Sequence, residues 1–377
     1  MRQTWKQLDV PLLLATAVLC GIGVISVYAA TRNGLVAAGH PGTRYLQRNL
    51  VNLGVAAVVA LPLSLRDYRE LRPWSPLLFA ANVFLLLVVL TPLGSSVNGA
   101  HGWFNLGPVQ LEPSEFMKLS LLLLLAALLS EREDRESEPA RSAMLWALAA
   151  TGVPVLLVLA EPALGIAIVL AVVALVVLAL SGAPGRVVGG LLATAVLGGY
   201  VAFSAHLLKP YQEERFTYLA DPRGARTSTG YQIRQSEIAI GNGGVTGRGF
   251  LGGSQTDGGF IPEQQTDFVF TVSAEEGGLV AGSLLLTALG VVLWRGLIIA
   301  GRARDLFGRL LAVGIVGWFA FQAFVNIGMT LGIMPVTGLP LPFVSYGGSA
   351  DLADLVGVAL LMSIGARGVT SRGAADR

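Results

Sequence analysis

The chain has 377 residues, 53% of them hydrophobic and only 13% charged, with a mean hydropathy of +0.65. That composition excludes a soluble domain with a large core and points to a polytopic membrane protein whose solvent is the bilayer. A net charge of +2 gives no footing for a nucleic acid partner, and the lone Cys20 excludes intrachain disulfides and thiolate metal sites.

In chain order, apolar runs long enough to span appear near 10–31, 49–64, 75–93, 116–130, 143–160, 164–181, 187–205, 279–299, 310–332 and 343–365. The expected fold is therefore an all-α polytopic membrane protein of about ten transmembrane helices. The second and fourth runs are short and need an adjoining polar turn to complete a span. Met1-Arg2 ahead of the first run resembles a signal anchor, and without a small-residue cleavage site it reads as a retained span. If the N-terminus is cytoplasmic, sixteen Lys and Arg residues fall on inside segments, whereas the short outside loops hold only Arg32, Arg44 and Arg48. The positive-inside rule then puts both termini in the cytoplasm.

Residues 206–277, between spans seven and eight, break the apolar pattern. They are polar, rich in glycine and too long for an ordinary connection, yet Tyr211, Phe216, Tyr218, Tyr231, Ile233 and Phe260 recur through them, so disorder is not expected. Periodicity predicts a short helix around Gln232–Ile240, ended by Gly241-Asn242-Gly243-Gly244. The whole chain reads as a single membrane domain with 206–277 as a large extracytoplasmic cap. Gly247 to Gly252 fits the dinucleotide pattern G-x-G-x-x-G, but no βαβ unit surrounds it and the compartment is wrong, so tight turns account for these glycines.

Two constellations carry candidate chemistry. Asp267 stands directly before the apolar run Phe268-Val269-Phe270, with Glu263, Glu275 and Glu276 nearby. A loop aspartate is commonly a turn former or a solvated charge. Here burial at an interface and neighbouring negative charge would both raise its pKa, as a general base requires. The second is Glu112-Pro113-Ser114-Glu115-Phe116-Met117-Lys118, opening the fourth span. Pro, Ser and Glu suit a helix start, but that does not explain Lys118, one turn into the span and on the same face as Glu115. A charge pair at that depth faces the bundle interior and marks a pathway or a polar substrate.

These motifs resemble those of the SEDS family (shape, elongation, division and sporulation), the RodA and FtsW proteins, along nearly the whole chain. Pro113 to Lys118 is similar to the family's P-S-E-x-x-K, Gly230 to Ser236 to its G-Y-Q-x-x-Q-S, and Ile261 to Phe268 to its L-P-E-x-H-T-D-F, which places its essential aspartate on Asp267. Its arginines fall on Arg48 and Arg215. Departures stand at Gln265 for the loop histidine, at Gly102 in the basic G-A-x-R-W turn, at Glu161 and Ala163 in Q-P-D-L-G, and at Ala350 and Asp351, with a further Asp354, near G-G-S-S.

The resemblance implies a bacterial inner-membrane glycosyltransferase that polymerises lipid II into peptidoglycan in elongation or division, the short tails leaning towards RodA. It implies Asp267 as base and Arg48, Glu115, Lys118, Arg215, Gln235 and Ser236 as substrate-binding residues. Cofactors are none, or a divalent cation (Mg or Mn) at the pyrophosphate. A class B penicillin-binding transpeptidase is the implied partner. The rival readings are a lipid II flippase or transporter and a non-catalytic scaffold for the transpeptidase, both compatible with buried charges in a helix bundle.

Overall fold

A computed structural model describes residues 8–97, 100–107, 109–131, 139–204, 213, 215 and 228–368. All ten apolar runs are helical: α1 (Val10–Ala37), α2 (Arg44–Leu65), α3 (Ser75–Val89), α4 (Pro113–Leu129), α5 (Arg141–Ala160), α6 (Leu164–Leu180) and α7 (Gly185–Ser204), then, after α8 (Ser228–Gly243) and the one-turn α9 (Ser254–Asp257), α10 (Val269–Arg302), α11 (Leu306–Thr330) and α12 (Gly348–Gly368). Six of these are long and apolar enough to cross a membrane, and α3, α6 and α7 are shorter apolar helices. The protein is an all-α polytopic membrane protein. Its outer helices turn large apolar side chains outwards, among them Val58, Leu156 and Val196, where no water-soluble protein would place so many.

The interior is different in kind. Helix α4 is buried along almost its whole length, and α11 buries Phe307 to Thr330 on most of its faces. They form the centre of the bundle, where small residues let backbones and bulky side chains approach. A Cβ at Gly314 would lie 2.1 Å from Leu122, and one at Gly23 would lie 2.6 Å from the Val344 carbonyl.

Since successive spans alternate in direction, one end of the bundle gathers the starts of α2, α4, α6 and α12 and the ends of α5 and α11. The opposite end is tied by ion pairs: Arg69 to Asp305 at 2.7 Å, Arg367 to Asp67 at 3.2 Å and Arg295 to Asp9. Tyr68 caps that end, donating its hydroxyl to Asp305 at 2.6 Å.

Two features depart from the sequence reading. Around the G-A-x-R-W turn at 99–103 the chain forms a three-stranded antiparallel sheet, β1 (Ser95–Val97), β2 (Ala100–Leu106) and β3 (Val109–Leu111). Ser96 pairs with His101 but Ser95 with Trp103, which leaves Gly102 as the extra residue of a β-bulge. The last part of the cap is also helical. Helix starts at Val269, and the break falls inside it, at Gly278 with φ 64° and ψ −158°. Val269 to Glu276 are therefore a buried helical segment, and the span proper follows the kink. The helix expected around Gln232–Ile240 is present and longer, Ser228–Gly243. Of the cap before it only Glu213 and Arg215, both helical, are among the described residues; Tyr211, Phe216 and Tyr218 lie outside them.

Candidate active site

Asp267 closes a tight turn at the gathered end of the bundle. Its amide donates to the Glu263 carbonyl at 3.0 Å, and Glu263 itself adopts φ 52°. The turn is held from beneath: Gln264 is buried and donates to Thr256 Oγ1 at 3.3 Å and Thr271 Oγ1 at 3.1 Å. Thr256 in turn is fixed by Glu275, which is fully buried and accepts from the Gln255 and Thr256 amides at 2.8 and 2.9 Å and from Thr256 Oγ1 at 2.8 Å. Loss of solvent pushes the Asp267 carboxyl up from 3.8 to about 6; the Thr266 hydroxyl and the charge of Arg215 oppose that rise, while Glu263 adds to it.

The other wall is the segment 336–347 between α11 and α12. Gly338, at φ 71°, lies across from the acid, and a Cβ there would stand 3.6 Å from Asp267 Oδ2. Two amides one turn apart on α11 hold this segment. Asn326 Nδ2 donates to both the Asp267 carbonyl at 2.9 Å and the Leu339 carbonyl at 2.7 Å, and Gln322 Nε2 donates to the Pro340 carbonyl at 2.7 Å. Ser345 and Tyr346 complete the seam, the Ser345 hydroxyl donating to the Thr266 carbonyl and the Tyr346 amide to the Gln265 carbonyl at 2.9 Å. At Phe343 the chain adopts φ 66°, and its amide donates to Asp354 Oδ2 at 3.1 Å, a use for that aspartate that the sequence did not suggest.

Lys118 and Glu115 reach the same segment from below. Lys118 Nζ donates to Glu115 Oε2 at 2.7 Å and to Gln322 Oε1 at 3.2 Å, and stands 4.5 Å from the Trp318 ring centroid. The lysine is 0% exposed and the glutamate 2%. Its influence on the Asp267 wall therefore passes through Gln322 and Pro340, not through an exposed ammonium.

Glu112 stands directly before α4, beside the β-sheet. Its carboxylate accepts from the Ser114 hydroxyl at 2.9 Å and interacts with the Trp103 side chain of β2. Next to Trp103, the bulge glycine Gly102 faces Glu161 across the α5–α6 turn: a Cβ on Gly102 would lie 3.2 Å from Glu161 Oε2. Neither oxygen of Glu161 has a hydrogen-bond partner. Burial, and then the charge of Glu112, pushes Glu161 up to about 8. Among the described residues no group of three or more His, Cys, Asp or Glu is placed to hold a metal ion. A cage built by the protein alone is not found there; an orphaned carboxylate beside a second one, opposite a missing side chain, fits an ion that also takes oxygens from water or substrate.

The remaining expected residues are placed as follows. Arg48, exposed in the second turn of α2, hydrogen-bonds the Tyr346 hydroxyl, and Tyr346 packs edge-on against Tyr45 with centroids 4.9 Å apart. Arg215 acts electrostatically on Asp267. Ser236 is buried and donates to the Thr330 carbonyl at 2.6 Å, tying α8 to α11, and Gln235 beside it is half-buried. Gln265 takes the position of the family's histidine and donates to Glu263 Oε2 at 3.1 Å. The structure thus brings Asp267, Arg215 and, through the 336–347 segment, Arg48, Glu115 and Lys118 to one end of the bundle. Sequence reasoning named Glu275 only as a neighbouring charge and missed Gln264, Gln322 and Asn326. The last two carried a signal, two amides at i, i+4 within an apolar span.

A helical membrane bundle with a half-buried carboxylate, a buried Glu–Lys pair and a polar sheet at one end defines a class of polytopic membrane protein whose working site is assembled from span termini. The chain belongs to the FtsW/RodA/SpoVE family of cell cycle proteins, the SEDS family, whose model matches residues 10–368. Curated relatives include the stage V sporulation protein E of Bacillus subtilis, 36% identical over 94% of this chain and 96% of that one, and the peptidoglycan glycosyltransferase MrdB of Escherichia coli K12, 39% identical over 85% of each. Among solved structures, a chain from a study of polymerization and crosslinking by a peptidoglycan synthase complex matches with TM-score 0.77 and 33% identity, covering 97% of this chain and 99% of that one. The rod shape determining protein RodA of Thermus thermophilus matches with TM-score 0.68 and 32% identity, covering 95% and 96%.

Proposed function

We propose that this protein is a peptidoglycan glycosyltransferase that polymerises lipid II into glycan strands, with Asp267 as general base. The observation that carries the reading is Asp267 itself: a half-buried carboxyl with its pKa raised to about 6, facing a glycine that leaves room beside it, on a backbone anchored by Asn326. Such a group accepts a proton near neutral pH.

The acceptor's 4-hydroxyl oxygen attacks the anomeric carbon of a donor whose sugar is α-linked to a lipid pyrophosphate. The β-1,4 bond forms as the carbon–pyrophosphate oxygen bond breaks, the hydroxyl proton passes to Asp267, and the lipid pyrophosphate departs with the bonding electrons. One displacement with inversion suffices. Arg48 and Arg215 supply positive charge to the leaving group, and a divalent cation, Mg or Mn, would add more when bound. Lys118 and Glu115 act as positioning residues through Gln322 and Pro340, while Ser236 braces α8 against α11 and half-buried Gln235 beside it contacts the substrate. Membrane lipids surround the helices, and a class B penicillin-binding transpeptidase is the partner this reading calls for. It also places the protein in the bacterial inner membrane with both termini cytoplasmic and the site on the cell-wall side.

Purified protein incubated with lipid II tests the proposal. Polymer formed by the parent and lost in Asp267→Asn is the expected result. Absence of polymer from folded parent protein, alone and with a class B transpeptidase, would favour a flippase or a scaffold.

A further inference from the structure

Glu161 is unused by the mechanism above, yet its setting is not that of a packing residue. It is 1% exposed with both carboxylate oxygens buried and unbonded, a state that no other carboxylate shares among the described residues. A carboxyl without partners is costly to bury even when it holds its proton, as a group pushed up to about 8 does at neutral pH, and folds normally supply it with donors or a cation that displaces the proton. The surroundings instead set a side-chain-free stretch of backbone and further oxygen against it. On one side the bulge re-aims β2 so that its side-chain-free residue, Gly102, faces Oε2. On another, Glu112 lies near enough for its charge to act on Glu161, and its own carboxylate interacts with Trp103, the residue after Gly102. Behind Glu161, the start of α6 meets the Asp267 wall: a Cβ at Gly165 would lie 2.7 Å from the Thr337 carbonyl, and Thr337 Oγ1 is a second buried, unbonded oxygen next to Gly338.

We infer that Glu161 and Glu112 form a divalent-cation site between the bulge at Gly102 and the start of α6. Two carboxylates, with water and phosphate oxygens filling the other positions, is the ordinary way in which a small hard cation such as Mg²⁺ is held, so this mode needs no three-carboxylate cage. The site adjoins the 336–347 segment that faces Asp267, where an ion would meet a pyrophosphate. That last role rests on the lipid II reading above; the ion site itself does not, and it is tested without substrate.

The experiment is Mn²⁺ titration of the full chain in detergent micelles, followed by the loss of the free-ion paramagnetic resonance signal and by the thermal midpoint. The parent should show a saturable site and a midpoint raised by the ion. Glu161→Gln removes the charge and should weaken binding at least tenfold. Gly102→Lys sets an ammonium against the carboxylate and should abolish binding while raising the midpoint in metal-free buffer. Glu131→Gln, which removes an exposed carboxylate at the opposite end of α4, should bind as the parent does. The proposal is overturned if the parent shows no saturable Mn²⁺ binding, or if Glu161→Gln and Gly102→Lys both keep it. Neither result would depend on whether the protein polymerises lipid II.

Discussion

Replacing Lys118 with Met tests how the buried charges of the central helices are balanced. Met keeps the length and unbranched shape of the lysine stem, so the packing against Trp318 and α11 is largely conserved while the ammonium is removed. Glu115 then loses its 2.7 Å partner at 2% exposure, and Gln322 Oε1 loses one of two donors, keeping Trp318 Nε1 at 2.7 Å. Asp354, buried nearby, feels both Lys118 and Glu115, so the variant leaves two carboxylates near one another without their cation. Breaking a buried pair by removing one member costs about 3–5 kcal/mol, most of it the desolvation of the charge left behind. Glu115→Gln combined with Lys118→Met removes one charge of each sign. The double variant should therefore recover most of that loss, because swapping a buried pair for neutral groups is often close to neutral. Unfolding in detergent micelles, measured for parent, single and double variants, gives the coupling directly. The reasoning is refuted if Lys118→Met stays within about 1 kcal/mol of the parent, or if the double variant is no more stable than Lys118→Met. Polymerisation should remain impaired in the double variant, since Gln322 and the Pro340 wall lose their link to α4; normal activity would make the pair structural only.

Asp267→Asn should lower turnover by about 10²–10⁴ with folding and lipid II binding retained, because Asn keeps the shape but takes no proton; a folded Asn variant near the parental rate would remove Asp267 from the mechanism. The rate should rise with pH through about 6 as Asp267 ionises, while its contribution to stability runs the other way. A carboxyl whose folded pKa lies above its usual 3.8 favours folding below that pH and loses the benefit as pH rises through about 6. A flat rate profile between pH 5 and 7 would contradict the assignment. Gly243→Ala places a Cβ 1.9 Å from the Ala274 carbonyl, so α8 and the first part of α10 must separate, and stability should fall by about 1–3 kcal/mol or more. A reporter inserted at Gly230 should be active only outside the cytoplasm; cytoplasmic activity would invert the topology.

The spans were legible because lipid leaves little choice. A run of about twenty apolar residues must satisfy its own backbone, so each run becomes a helix whatever its neighbours do. The polar elements at the span ends obey no such local rule. Ser95 to Leu111 contains too little alternation to announce strands, and its pairing depends on the fixed ends of α3 and α4. Val269 to Ala274 looks like the start of a span but is buried in protein, and only the left-handed backbone of Gly278 separates it from the membrane segment. Asp267 could be singled out because a carboxylate beside an apolar run is conspicuous, whereas its supports could not. Gln264 and Glu275 are ordinary polar residues until the chain folds back and sets Thr256 between them. The departures at Gly102 and Glu161 show the same limit from the other side. Read separately, one is a turn glycine and the other a helix-end acid; their meaning lies in the 3.2 Å between a Cβ position and a carboxylate oxygen. Sequence distance hides that contact, and the bulge that makes it is a property of register. The chemistry of this protein therefore lies where span ends meet, with the geometry of each group set by a partner far away in the chain.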